Sequence, residues 1–293
     1  MADPLLAVDA PFLLYRSFFA LPQSITGVDG RPVGALLGAA NLLLRAAADL
    51  RPRAVVLCFG AEAASYRVEL YPSYHAARPP VPPALQWQFE HAPRFFAELG
   101  WRSITSEALE ADDLLGSLAT VEEQAGGRTL ILTGDRDMYQ CAGAHTAVLY
   151  LRSGKSGFEE VDREEVLRRY GIVPALVPDF IALRGDPSDG LPGAPGIGAK
   201  TAAQLLVRHG SLEAAIAAAD SERPRVAAAL RQAADQLVAF KRIAQLQRVS
   251  LERPQDAQTD LGAGADVAQR YGLGQLSRRL LEATSLDQLT DRA

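Results

Sequence analysis

The chain has 293 residues, with 30 lysines and arginines against 35 aspartates and glutamates for a formal charge of −5, and 48% of its side chains are apolar. That much apolar material excludes a disordered chain, and two cysteines exclude a disulfide scaffold. No apolar run approaches the ~20 residues of a membrane helix, and no basic segment followed by an apolar core marks a secretion signal, so a soluble, cytoplasmic protein is expected.

Pro4 to Val8 reads as a buried strand, Val33 to Leu50 as an amphipathic helix, Ala54 to Phe59 as a strand and Pro83 to Leu99 as a helix. Leu109 to Gln124 is helical again, and Thr129 to Thr133 is a third strand. This βαβα rhythm predicts an α/β domain over residues 1–172, a mostly parallel central sheet flanked by helices. Ligands bind such sheets beyond the carboxyl ends of the strands. Near residues 66–90 prolines and aromatics break the pattern, as in Tyr71-Pro72-Ser73-Tyr74-His75-Ala76-Ala77-Arg78-Pro79-Pro80, and a surface excursion is expected. From Asp162 helices dominate, opened by a capping-box pattern of Asp162 and Glu165. Further helices are predicted from Pro174 to Leu183, Lys200 to Arg208, Ser211 to Ala219 and Arg223 to about Gln247, making residues 173–293 a helical region. Cys58 and Cys141 lack any metal-binding spacing and read as reduced thiols.

Acids recur where strands and turns end. Asp9 closes the first strand, Glu110, Asp112 and Asp113 open a helix, Asp135 and Asp137 follow the third strand, and Asp186 and Asp189 flank a turn between helices. Alone, each cluster is equally well read as a helix cap or a turn. Together they fall where an α/β sheet places its ligand, and carboxylates gathered there repel one another unless cations neutralise them. Oxygen ligands without histidine or cysteine favour hard ions, Mg²⁺ or Mn²⁺, and two such ions suit phosphodiester hydrolysis. The acidity of the whole chain is therefore no objection to DNA, because setting aside these eight acids leaves a remainder of net positive charge.

The motifs Val8-Asp9 through Tyr15-Arg16-Ser17-Phe18, Glu110-Ala111-Asp112-Asp113, Leu132-Thr133-Gly134-Asp135-Arg136-Asp137-Met138-Tyr139-Gln140, and Gly185-Asp186-Pro187-Ser188-Asp189 leading into Gly196-Ile197-Gly198-Ala199-Lys200-Thr201 stand in order between residue 5 and about residue 250. In them the chain resembles the 5′ nuclease domain of bacterial DNA polymerase I and its relatives, the stand-alone 5′-3′ exonucleases and flap endonucleases. No polymerase region follows, so a free-standing member is expected. The resemblance implies a PIN-like fold, a helix-turn-helix DNA element near 174–210, a monomer, and a DNA substrate with 5′ ends, flaps or nicks. It implies a first metal held by Asp9, Glu110 and Asp112, a second held by Asp135, Asp137, Asp186 and Asp189, and Asp113 bridging or just behind them. Gly196, Gly198, Lys200 and Thr201 would grip duplex phosphate, in the family around a K⁺ ion, and glycines opening a helix independently suit an anion.

The excursion corresponds to the family's arch over single-stranded 5′ ends. Tyr71, Tyr74 and Trp87 either stack on bases or fold back on the core, and Arg67 and Arg78 are candidates for phosphate. Arg16 is read either as a phosphate contact or as the partner of a site carboxylate. Two positions depart from the family. Gly60 stands where a metal-binding aspartate follows the second strand, and His75 replaces a lysine expected to act beside Arg78 on the scissile phosphate. Glu62, two residues on, is read either as an ordinary exposed loop acid or as a substitute for the missing one. The reading favoured is an active metal-dependent 5′ nuclease with a weakened first site. The alternatives are a structure-selective DNA-binding protein of reduced activity and an RNA-cleaving relative.

Overall fold

The computed structural model describes residues 3–151 and 157–290. Strand β1 (Leu5–Asp9) leads into α1 (Ala10–Ala20) and α2 (Gly34–Leu50), β2 (Ala54–Phe59) into α3 (Ser65–Leu70) and α4 (Pro83–Ala97), and β3 (Arg102–Thr105) into α5 (Ala111–Gln124). Strands β4 (Thr129–Thr133), β5 (Thr146–Leu151) and β6 (Phe158–Val161) follow. Then come α6 (Arg163–Tyr170), α7 (Val177–Arg184), α8 (Ala199–His209), α9 (Leu212–Ala217), α10 (Pro224–Ala244), α11 (Leu261–Arg270) and α12 (Gly274–Thr290).

The strands lie in the order β3-β2-β1-β4-β5-β6, all parallel except β6. Every residue of β1, β2 and β4 is buried, because helices cover both faces. The pleat then sorts side chains alternately. Leu5, Ala7, Val56, Cys58 and Ile131 join one core with α5, α7, α8 and α10, while Leu6, Val8, Leu57, Leu130 and Leu132 join the other with α1, α2 and α4. The chain runs outward from β1 through β2 to β3 and then returns to lay β4 on the other side of β1. That reversal opens a crevice beyond the carboxyl ends of β1 and β4.

Predicted elements agree with the observed ones to within a few residues, and local chemistry explains their ends. Asp162 accepts the Glu165 amide at 2.8 Å to start α6, although the Glu165 side chain turns to Arg168 and Arg169 instead of completing a capping box. The prolines of 79–83 stop where α4 begins, with Pro83 in its first turn. Strands β3, β5 and β6 are absent from the predicted elements, and β3 and β6 are four-residue segments of mixed exposure without an apolar pattern.

The helical region predicted for residues 173–293 divides in two. Helices α7 to α10 pack on the α5 face, whereas α11 and α12 pack on the opposite face through Ala265, Val267, Ala268, Leu276 and Leu280. An extended strap, residues 245–260, joins them and hydrogen-bonds to Arg53, Leu99 and Trp101 as it passes. Among the described residues no helix is long and apolar enough to cross a membrane.

Candidate active site

Asp9 ends β1 and caps α1, with one carboxylate oxygen accepting the Phe12 amide at 3.0 Å and the other the Thr133 hydroxyl of β4 at 2.7 Å. This bond crosses the switch-point crevice, so neighbouring strands fix the first acid. Glu110 and Asp112 sit at the start of α5, and Asp135 and Asp137 lie just beyond β4, where the Asp135 carboxylate accepts the Asp137 amide at 2.8 Å. Asp186 and Asp189 come from the α7–α8 turn, which closes as a two-way backbone bridge between Asp186 and Leu191.

Electrostatics show that these acids converge. Asp112, Asp135 and Asp137 keep some contact with solvent, yet surrounding protein displaces most of their hydration. Burial first, then the charges of Asp135, Asp9 and Glu110, push Asp112 well above the usual carboxylate range, with Arg67 opposing. Burial pushes Asp135 up to about 6, the Asp137 amide opposes, and Asp189, Asp9 and Asp186 add to the rise. Asp137 is raised well above its ordinary value by burial and by Asp135, Asp189 and Asp186, and Arg184 offsets part of this. Asp9 is raised by burial against its two hydrogen bonds. Seven carboxylates from four parts of the chain thus feel one another across one crevice.

Their oxygens are nevertheless turned toward protein donors. Glu110 accepts the Ala64 amide at 2.8 Å and the Tyr74 hydroxyl at 2.9 Å. Asp186 accepts the Ser188 amide at 2.9 Å and Arg184 at 3.2 Å, and Asp189 faces His75 at 3.1 Å and Arg78 at 3.0 Å. Among the described residues no three histidine, cysteine, aspartate or glutamate groups meet at metal-holding distance. The donor set itself, carboxylate oxygen without nitrogen or sulfur, suits hard divalent ions.

Several expectations need correction. Asp113 does not bridge the acids but stands just behind them: it is fully buried, clamped by both terminal nitrogens of Arg67 at 2.8 Å, and closes a capping box with Glu110. Arg67, expected at DNA phosphate, is 2% exposed and wholly occupied by Asp113, Glu110 and the Ile243 carbonyl. Tyr74 is buried too, its hydroxyl on Glu110 and its ring stacked on His75 at 3.8 Å, so no face is free for a base. Tyr71 packs on Phe240, and Trp87 on His91 and Tyr271. The expected excursion is a compact loop after α3, pinned to the Asp189 turn through the backbone of Ser73 and His75.

His75 has a left-handed backbone (φ 55°) and places one ring nitrogen 2.8 Å from the Glu62 carbonyl and the other on Asp189. Both partners are hydrogen-bond acceptors. Arg78 stays partly exposed beside Asp189, and Arg16 lies half-buried two turns along α1 from Asp9. Glu62 is exposed, near Tyr15. Gly60 packs so closely on the start of α5 that a Cβ there would lie 2.2 Å from the Ala111 amide nitrogen. The position has room for no side chain.

Gly193 and Gly196 take positive φ to turn the chain into α8, leaving Gly196, Gly198 and Lys200 exposed. The first amides of α8 lack helical partners, with no acidic residue in that turn. Residues that sequence reasoning missed are Thr133, Arg184 and Gln140. Arg184 had a usable signal, as the last residue of a helix that delivers Asp186.

A doubly wound sheet that gathers carboxylates at its switch point and carries a helical domain with a glycine-rich turn is the architecture of the 5′ nucleases. The chain belongs to the 5′-3′ exonuclease family: residues 4–171 match its N-terminal resolvase-like domain and residues 172–260 its C-terminal SAM fold. It is 35% identical to a 5′-3′ exonuclease of Mycobacterium tuberculosis, over 97% of this chain and 98% of that one. It is also 35% identical to a 5′-3′ exonuclease of Streptomyces coelicolor, over 94% and 98% of the two chains. The match to DNA polymerase I of Mycobacterium bovis, at 37% identity, covers 78% of this chain and 25% of the polymerase, so the chain corresponds to about a quarter of that protein. In fold it is similar to the bacteriophage T5 D15 flap endonuclease, solved with DNA and metal ions, with a TM-score of 0.67 at 16% identity over 95% and 98% of the chains. The catalytic core of Rad2 in complex with a DNA substrate gives 0.66 at 16% identity over 95% and 91%.

Proposed function

We propose that the protein is a divalent-metal-dependent 5′ nuclease that hydrolyses DNA phosphodiesters at 5′ ends, flaps or nicks, as a cytoplasmic monomer. The observation that carries this reading is the gathering of Asp9, Asp112, Asp135 and Asp137 at the switch point, where burial raises all four and neighbouring carboxylates raise Asp112, Asp135 and Asp137 further, a cost that a bound cation relieves. Asp135, Asp137, Asp186 and Asp189 would hold one Mg²⁺ or Mn²⁺, and Asp9, Glu110 and Asp112 a second, more weakly held one, because Gly60 supplies no carboxylate. Divalent ions held there would lower the pKa of a water and screen the phosphodiester charge.

The chain's own residues do the rest. Thr133 orients Asp9, and Tyr74 with the Ala64 amide orients Glu110. Arg78 and His75, both on Asp189, would contact the phosphate next to the scissile bond, and Arg16 would extend that contact along α1. The exposed amides after Gly196 and Gly198, with Lys200 and Thr201, hold the duplex by its backbone. A K⁺ ion would sit among the carbonyls of that turn. The second reading, a DNA-binding protein of much reduced activity, is favoured by the two departures from the family, Gly60 and His75.

The test is cleavage of an end-labelled 5′-flap duplex in Mg²⁺ or Mn²⁺. Wild type is expected to cut, and Asp137→Ala to retain binding while losing about a hundredfold or more in rate. A wild type that binds the flap and cuts in neither metal would establish the binding-protein reading instead.

A further inference from the structure

The last carbonyls of α10 have no partners within the helix, and two side chains from the nuclease domain take them. Arg67 donates its Nε to the Ile243 carbonyl at 2.9 Å, and Gln140 donates to the Ala244 carbonyl at 2.9 Å. Each of these side chains also reaches one half of the carboxylate cluster. Arg67 clamps Asp113 and lies 3.3 Å from Glu110 Oε1, while the Gln140 amide nitrogen also donates to the Asp137 carbonyl at 3.0 Å. The strap returns both contacts, since the Gln247 amide donates to Asp113 at 2.8 Å and the Leu246 amide to Gln140 Oε1 at 3.2 Å.

We propose that the backbone crosspiece Ile243–Gln247 holds the two halves of the carboxylate cluster in register, acting through Arg67 and Gln140 as positioning residues. The inference rests on the reading of the cluster as the metal site of a nuclease. Helix α10 packs against α7, which delivers Asp186, so the same helix is tied to the α7–α8 turn and, through these two side chains, to Glu110 and Asp137. A shift of the helical domain on DNA is thereby transmitted to the acids rather than absorbed between the domains. Arg67 is suited to this because its planar fork meets Asp113 with two bonds and still leaves Nε for a carbonyl.

Gln140→Met keeps the volume and removes both hydrogen-bonding ends, and Arg67→Lys keeps the charge and removes the fork. Mn²⁺ affinity by calorimetry, kcat and KM on the flap duplex, and melting temperature are measured for each. Both variants are expected to weaken Mn²⁺ binding and lower kcat by about tenfold with KM for DNA unchanged. Arg253→Ala, which loosens the strap at the far edge of the sheet, is expected to lower the melting temperature alone. The proposal is overturned if Gln140→Met and Arg67→Lys behave like Arg253→Ala, losing melting temperature at wild-type Mn²⁺ affinity and kcat. Should Arg67→Lys fail to fold, Gln140→Met decides the matter. A wild type that binds Mn²⁺ without cutting contradicts the nuclease reading only, and the Mn²⁺ comparison still decides for or against the crosspiece. A wild type that binds no Mn²⁺ overturns both.

Discussion

Asp137 shows what the site costs the fold. Its carboxyl is raised by burial and by Asp135, Asp189 and Asp186, so ionising it opposes folding as pH rises above 3.8, the value for an unperturbed aspartate. In metal-free protein Asp137→Asn is therefore expected to be neutral in strongly acid solution and stabilising at neutral pH by about 1 kcal/mol, while it abolishes cleavage. Thermal melts across pH in EDTA check this, and an unchanged or lower melting temperature at neutral pH would remove the claim of repulsion. Gly60→Asp has the opposite sign. Its Cβ would collide with the Glu110–Ala111 peptide, so this substitution is expected to destabilise by about 1–3 kcal/mol and to displace Glu110 instead of restoring a ligand. Recovery of full first-site Mn²⁺ binding in Gly60→Asp would show that the backbone yields. The acids were legible in the sequence because carboxylates at strand ends serve few other purposes in such numbers. The roles of Asp113, Arg67 and Tyr74 were not, because which charge pairs with which depends on contacts as far apart in sequence as Arg67 and Ile243.

Helix and strand interiors follow from pattern, and connections follow from hydrogen bonds that no local pattern encodes. Glycine and proline placed the turn before α8 and the start of α4, whereas the strap has no periodicity to read. Its anchor is Glu122, the fully buried acid near the end of α5, held by Arg53 and Arg253. Burial alone would raise the Glu122 carboxyl, but hydrogen bonds from Arg53 and then Arg253 outweigh it and hold the group below its ordinary 4.5. Such a depressed group contributes stability fully above 4.5, and that contribution is lost as pH falls through its lower folded value. Glu122→Gln is expected to cost about 3 kcal/mol at neutral pH, with the gap from wild type narrowing in acid. Denaturant melts at neutral pH and below 4.5 measure both, and a gap that stays constant would contradict the pairing.

At the scale of the molecule, the βαβα rhythm identified a parallel sheet, and the strand order supplied what rhythm cannot, a reversal at β1 that brings Asp9 beside β4. The division of the C-terminal helices between the two faces was not legible, since an amphipathic helix declares an apolar side without declaring which surface it covers. Setting aside the seven crevice acids changes the formal charge from −5 to +2, so DNA binding rests on placed cations, and its affinity is expected to fall steeply as salt rises from 50 to 200 mM, on the order of tenfold or more. Fluorescence anisotropy with a catalytically silent Asp137→Ala variant checks it, and salt-independent binding would argue against phosphate contacts. The central claim is that the carboxylates at the switch point hydrolyse DNA with bound divalent ions. Its most direct measurement is the initial rate of 5′-flap cleavage as Mn²⁺ is titrated into EDTA-treated protein. The rate is expected to rise from zero and to saturate only after a second, weaker ion binds; no cleavage at any Mn²⁺ concentration, or cleavage undiminished in EDTA, would contradict it.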